Sequence, residues 1–148
     1  MKKGFTWAAA LLTALLLLAP ALMPRPAQAS EAPLRGVWIA TVYAIDFPHT
    51  STVASQQQEL RDLLDTAASA GLNAVFFQVR PTGDAYYPSD LFPWAKALTG
   101  VAGKDPGWDP LAYLIDQAAA RGMEVHAWVN PYRLTEGSAD RPNNDPND

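Results

Sequence analysis

Apolar positions along this chain recur with two different periods. Three short stretches alternate as strands do: Arg35 to Val42 (RGVWIATV), Asn73 to Arg80 (NAVFFQVR) and Glu124 to Asn130 (EVHAWVN). In the second, Val75, Phe77 and Val79 point one way, and Phe76, Gln78 and Arg80 the other. The third divides likewise into Val125, Ala127 and Val129 against His126, Trp128 and Asn130. Between the strands the period lengthens to that of a helix. Leu60, Leu63, Leu64, Ala67 and Ala68 predict a helix from about Ser55 to Ala70, with Ser55 and Gln58 as a capping box and Gly71 as its left-handed C-terminal residue. Leu111, Leu114, Ile115 and Ala118 predict a second helix, opened by Asp109-Pro110 and closed by Gly122.

The order β-α-β-α-β implies parallel strands joined by right-handed crossovers. A weak repeat supports it. Ala70-Gly71-Leu72-Asn73 leads into the second strand as Arg121-Gly122-Met123-Glu124 leads into the third, and both strands end in a polar residue followed by proline. Central strands of a doubly wound sheet meet helices on both faces and are apolar throughout. Here Gln78, Arg80, His126 and Asn130 share the face away from the aliphatic one, which favours a barrel interior over that alternative. The fold class expected is α/β, the N-terminal portion of a (β/α)8 TIM barrel with about three βα units. Such a barrel needs eight strands and about 250 residues, so a chain of 148 residues reads as part of a longer one. Its edge strands would be left open.

The two ends stand apart from this pattern. Lys2 and Lys3, an apolar run from Ala8 to Ala19 and the small residues Ala27-Gln28-Ala29 read as a secretory signal peptide over residues 1–29. The run is shorter than the roughly 20 residues that span a bilayer, so an uncleaved signal is the one route expected to a membrane. The remainder, 30–148, is the incomplete barrel domain, ending in a polar tail from about residue 137. The protein is therefore expected to be secreted or periplasmic. No cysteine is present, which excludes disulfides, thiol catalysis and a lipid-bearing cysteine. Once Lys2, Lys3 and Arg25 leave with the signal, eight basic residues face 15 acidic ones, a balance of −7 that argues against a nucleic-acid partner.

Sites in parallel barrels lie where the strands end at their C-terminal edge. The residues following the three strands are therefore the candidates. Asp46 follows the first, with Tyr43, Phe47 and His49 nearby. Arg80 ends the second, and Asp84, Tyr87 and Trp94 lie in the roughly 28-residue loop after it, along with Phe92 and Trp108. Asn130, Tyr132 and Arg133 follow the third. A connection that long exceeds the usual length several-fold and tends to be functional. Aromatic faces beside Asp, Asn and Arg suit a sugar, whose ring stacks while its hydroxyls pair with planar polar groups. Each candidate also has a plain reading. Asp46 and Asp84 can hold their loops, Asn130 can satisfy a strand end, and Trp94 and Tyr87 can be loop core. His126 reads as a hydrogen-bonded interior residue, Asp109 as a helix cap and Glu124 as structural. No metal motif, P-loop or dinucleotide fingerprint appears, so no cofactor is expected. No pair of carboxylates can be placed at a glycosidase separation from spacing alone, and the catalytic groups stay unassigned.

The segments RGVWIATV, FFQVRPTGDAYYPSDLFPWAKALTG, PGWDPLAYLI and GMEVHAWVNPYR closely resemble the glycosyl-hydrolase-like family 10 proteins of bacteria. The likeness runs from Leu34 to about Thr135, with several long motifs in the same order. It implies a (β/α)8 barrel, export, and action on glycosidic bonds of a polysaccharide. Some members resemble enzymes that cleave peptidoglycan glycan strands stripped of their peptides. The matching motifs imply binding or site-shaping roles for Arg80, Asp84, Asn130, Tyr132 and Arg133, with the catalytic carboxylates expected after later strands. A secreted carbohydrate-binding protein without catalysis is the alternative. The oligomeric state is not readable.

Overall fold

The computed structural model describes residues 33–135. The expected signal segment and the polar tail lie outside the described residues. The chain forms β1 (Gly36–Ile39), a 3-10 turn (Val42–Ala44), α1 (Val53–Ser69), β2 (Ala74–Arg80), the short α2 (Lys96–Thr99), α3 (Pro110–Ala119) and β3 (Glu124–Val129). The strands make one parallel sheet in the order β1-β2-β3. Trp38, Phe76 and His126 lie level across it, with Gln78 opposite Trp128 one layer further on.

The aliphatic face of β2 carries the core. Val75, Phe77 and Val79 are buried together with Leu60 and Leu64 of α1 and with Leu114 and Ala118 of α3. Each buried side chain of this size contributes about 1.5–3 kcal/mol relative to exposure. Ile115, expected on the buried face of α3, is 46% exposed. Both helices return to the sheet through the same turn. The Gly71 N–H donates to Ala68 O at 2.9 Å and Leu72 N–H to Ala67 O at 3.0 Å. Gly122 N–H donates to Ala119 O at 3.0 Å and Met123 N–H to Ala118 O at 2.9 Å. Both glycines have positive φ, so this double bond pattern is the physical content of the repeat seen in the sequence.

Two boundaries differ from the sequence pattern. Helix α1 begins two residues early, at Val53, capped by Thr52, whose Oγ1 accepts the Ser55 N–H at 3.3 Å. Gln58 turns instead to Asp62, donating from Nε2 at 2.7 Å, so Ser55 and Gln58 form no capping box. Strand β1 stops at Ile39 rather than Val42, because side chains take the next backbone donors. Asp46 Oδ2 accepts the Ala40 N–H, and Gln78 Oε1 accepts those of Thr41 and Val42.

The other face of the sheet is aromatic. The Phe76 ring stacks on Trp38 at 4.6 Å and on His126 at 4.7 Å, and Trp38 meets Trp128 edge-on at 5.1 Å. Trp38 is 58% exposed. Among the described residues no helix is long and apolar enough to cross a membrane.

Candidate functional site

The loops leaving the C-terminal ends of the three strands converge. After β1, Tyr43 and Ala44 are consecutive non-glycine residues in the left-handed region, with φ of 55° and 49°. Each such residue costs on the order of 1 kcal/mol or more and persists only when its surroundings fix it. Here they do. Gln78 Oε1 accepts the N–H groups of Thr41 and Val42, both at 2.9 Å, and Thr41 Oγ1 donates to Gln78 O at 2.8 Å. Asp46 closes the other side, accepting the Ala40 N–H at 2.7 Å while its own N–H donates to Ala40 O at 3.0 Å. The bent backbone throws the Tyr43 ring outward. Arg133 reaches it from beyond β3, donating from Nη2 to the Tyr43 hydroxyl at 3.1 Å with Cζ 5.3 Å from the ring centroid.

The loop after β2 folds back on itself through an isolated bridge between Ala85 and Trp94. It also crosses to the β3 loop, where Gly83 N–H donates to Leu134 O at 3.1 Å. Asn130 joins the ends of β2 and β3. Its N–H donates to Arg80 O at 3.0 Å, its Oδ1 accepts the Trp128 indole N–H at 2.8 Å, and its Nδ2 donates to Pro81 O at 3.3 Å. Arg80 lies beneath the same loop, its guanidinium 3.5 Å over the centre of the Phe92 ring.

Between these loops is a cleft of about 740 Å³, lined among others by Tyr43, Thr82, Asp84, Tyr86, Lys96 and Leu134. It is open to solvent and mixed in polarity, a shape suited to a polymer rather than an enclosed small molecule. Asp84 lines it, with Oδ1 accepting from Thr82 Oγ1 at 2.6 Å. The remaining candidates are spread around it. Asp46 faces the α1 side of β1, beside Val37, Ile39 and Leu63. Trp94 belongs to a separate groove of about 560 Å³ on the long loop, with Asp90, Asp105 and Trp108. Tyr87 is half-buried against the core, and Tyr132 is 97% exposed. Tyr43, Gln78 and Lys96 carry more of the site than their sequence neighbourhoods indicated. Gln78 left a signal as a polar residue inside an apolar strand and Tyr43 as a residue following the first strand, whereas Lys96 left none. Among the described residues no three His, Asp or Glu side chains are grouped to hold a metal.

With this geometry in place, two comparisons bear on the chain. The family model for glycosyl hydrolase-like 10 matches residues 33–144. The chain belongs to that family. It is 50% identical over 113 residues to glycosyl hydrolase YngK of Bacillus subtilis strain 168, covering 75% of this chain and 22% of that protein. It is 46% identical over 121 residues to glycosyl hydrolase DigH of Escherichia coli K12, covering 76% of this chain and 28% of that protein. The chain thus spans about a quarter of the length of the curated relatives it matches.

Proposed function

We propose that this chain supplies the first three βα units of a (β/α)8-barrel glycoside hydrolase, exported by the segment 1–29 and acting on a bacterial wall or extracellular polysaccharide. The observation that carries this reading is the convergence of the three post-strand loops on one open cleft in a member of this family. In a parallel barrel that end of the strands is where chemistry is placed. The polymer favoured is peptide-free peptidoglycan glycan. Tyr43, 58% exposed, offers ring surface for a sugar, and Asp84, Asn130 and Arg133 offer planar polar groups for hydroxyls.

Hydrolysis would proceed by two carboxylates, one protonating the leaving oxygen and the other acting as nucleophile or base. Asp46 and Asp84 are each engaged in bracing their own loop, which supports assigning the working pair to later strands of a full barrel. The same observation favours the second reading, a secreted carbohydrate-binding protein without catalysis. The deciding experiment is release of reducing ends from peptide-free glycan strands by the full chain. Release supports hydrolysis. Binding of the strands without release favours the second reading.

A further inference from the structure

We infer that the long loop after β2 carries a second sugar site, a groove that holds an uncharged unit of the polymer beside the cleft. This rests on the cleft being a glycan site, and adds how a longer strand is held. The groove is lined by Trp94 and Trp108 together with Ser89, Asp90, Asp105 and Asp109. Every residue that lines it falls between positions 88 and 109, in the connection from β2 to α3. One segment therefore shapes it, unlike the recesses along the edges of the sheet.

That segment is held by its own bonds. Ala85 N–H donates to Pro93 O at 2.9 Å and Ala95 N–H to Ala85 O at 3.0 Å, which fixes the backbone on both sides of Trp94. Gly103 N–H donates to Trp94 O at 2.9 Å. Trp108 meets Tyr113 of α3 edge-on at 5.7 Å. Both indoles are half-buried, so each is anchored against the core and still gives the groove part of its surface. Aromatic walls ordered in advance lose little freedom when a ligand arrives. Trp94 lines the groove and Lys96 the cleft, with buried Ala95 between them. Two residues span at most about 7 Å, so the two recesses lie within reach of one glycan strand.

The polar part of the groove consists mainly of acceptors. Asp105 Oδ1 accepts the Gly107 N–H at 2.7 Å and Asp109 Oδ1 the Ala112 N–H at 3.0 Å. Each bond orients its carboxylate and leaves the second oxygen for a further donor. Asp90 stands exposed at the rim. No lysine or arginine lines the groove. Sugar hydroxyls supply the donors that such oxygens take, while the apolar face of the ring covers an indole. An anionic sugar would meet three carboxylates and no cation, so the uncharged unit is the better match. A basic peptide also answers the charge, but the neighbouring cleft already takes a chain of sugars, which favours the glycan.

The experiment adds an uncharged oligomer of N-acetylglucosamine, or a uronic-acid oligomer of equal length, to the full chain labelled with fluorotryptophan. The uncharged oligomer should shift the fluorine signals of Trp94 and Trp108, assigned through Trp94→Phe and Trp108→Phe. The acidic oligomer should need at least about fivefold higher concentration for the same shift. Asp90→Ala should weaken the response to the uncharged oligomer by about threefold or more, in a chain whose circular dichroism is unchanged because that side chain is exposed. Asp90→Lys should narrow the gap between the two oligomers. Signals of Trp94 and Trp108 that both stay unmoved by the uncharged oligomer overturn the inference, as does an equal response to the two oligomers. A response left intact by Asp90→Ala and Asp90→Lys alike also overturns it. So does a response to oligolysine at lower concentration than to the sugar, which assigns the groove to a basic peptide. Reducing-end release from long strands is scored separately. Release with both tryptophan signals unmoved removes this inference and keeps the hydrolase. Shifted signals without release keep the inference and remove the hydrolase.

Discussion

Gln78 Oε1 accepts the backbone N–H groups of Thr41 and Val42, each at 2.9 Å, and so ties the middle strand to the turn that presents Tyr43. The glutamine is fully buried. Replacing it by leucine would leave two buried donors without acceptors, at about 1–3 kcal/mol each. Gln78→Leu should therefore destabilise the chain by about 2–6 kcal/mol in urea denaturation and speed amide exchange at Val42. Unchanged exchange at Val42 would show that Tyr43 and Ala44 hold their left-handed conformation without the glutamine.

A second prediction concerns close approach across the inner face. A Cβ on Gly36 would sit 2.5 Å from Phe76 Cε2, well inside contact distance. The ring lies over that glycine because it is sandwiched between Trp38 and His126. Gly36→Ala should cost about 1–3 kcal/mol by overpacking. Combined with Phe76→Leu, which removes the clashing ring edge, the alanine should cost much less than it does alone. A double-mutant cycle in urea denaturation checks this, and strict additivity would mean the ring moves aside freely.

The inter-helix ion pair predicts a pH dependence. The hydrogen bond from Arg121 holds the Asp65 carboxyl below its ordinary value, aided by the Arg121 and Arg61 charges and opposed by slight desolvation. A lowered folded pKa means stability that is fully present above the unfolded value near 3.9 and lost as pH falls through the folded one. The difference in unfolding free energy between the unaltered chain and Asp65→Asn should be constant from pH 5 to 7 and shrink toward zero below about pH 4. Asp65 is largely exposed, so added salt should weaken the effect at every pH. A difference that ignores pH would assign the pair no part in folding.

How far these features were legible in the sequence follows from the range of the forces involved. The three strands, both long helices and their glycine turns are written in local periodicity, and the structure places them within a few residues. Val75, Phe77 and Val79 fall on the helix side as alternation required, with Phe76, Gln78 and Arg80 opposite. The errors arise where a side chain from a distant element takes over a backbone bond. Gln78 ends β1 early from 37 residues away, and no local pattern at Thr41 announces it. Trp94 illustrates the same limit for the site. Its place in the long loop drew it toward the cleft, whereas the bridge to Ala85 turns it into a separate groove with Trp108. Tyr43 owes its part to two left-handed residues that no sequence rule would assign to Tyr-Ala.

Asn130 separates bracing from contact. Its side chain accepts from Trp128 and donates to Pro81, so Asn130→Ala leaves the Trp128 indole N–H unpaired and frees one link between the ends of β2 and β3. Loss of those bonds should cost about 1–3 kcal/mol of stability. Asn130→Asp keeps the indole acceptor but removes the donor to the Pro81 carbonyl and sets a negative oxygen against it. If Asn130 only braces the strand ends, reducing-end release by the full chain should fall in step with stability across the two variants. If it also donates to a sugar hydroxyl, both variants should raise KM beyond what their stability loss explains, by about 5–30-fold for a lost hydrogen bond of 1–2 kcal/mol. Steady-state kinetics well below each variant's Tm make the comparison. A KM equal to that of the unaltered chain in both variants would confine Asn130 to the role of a brace.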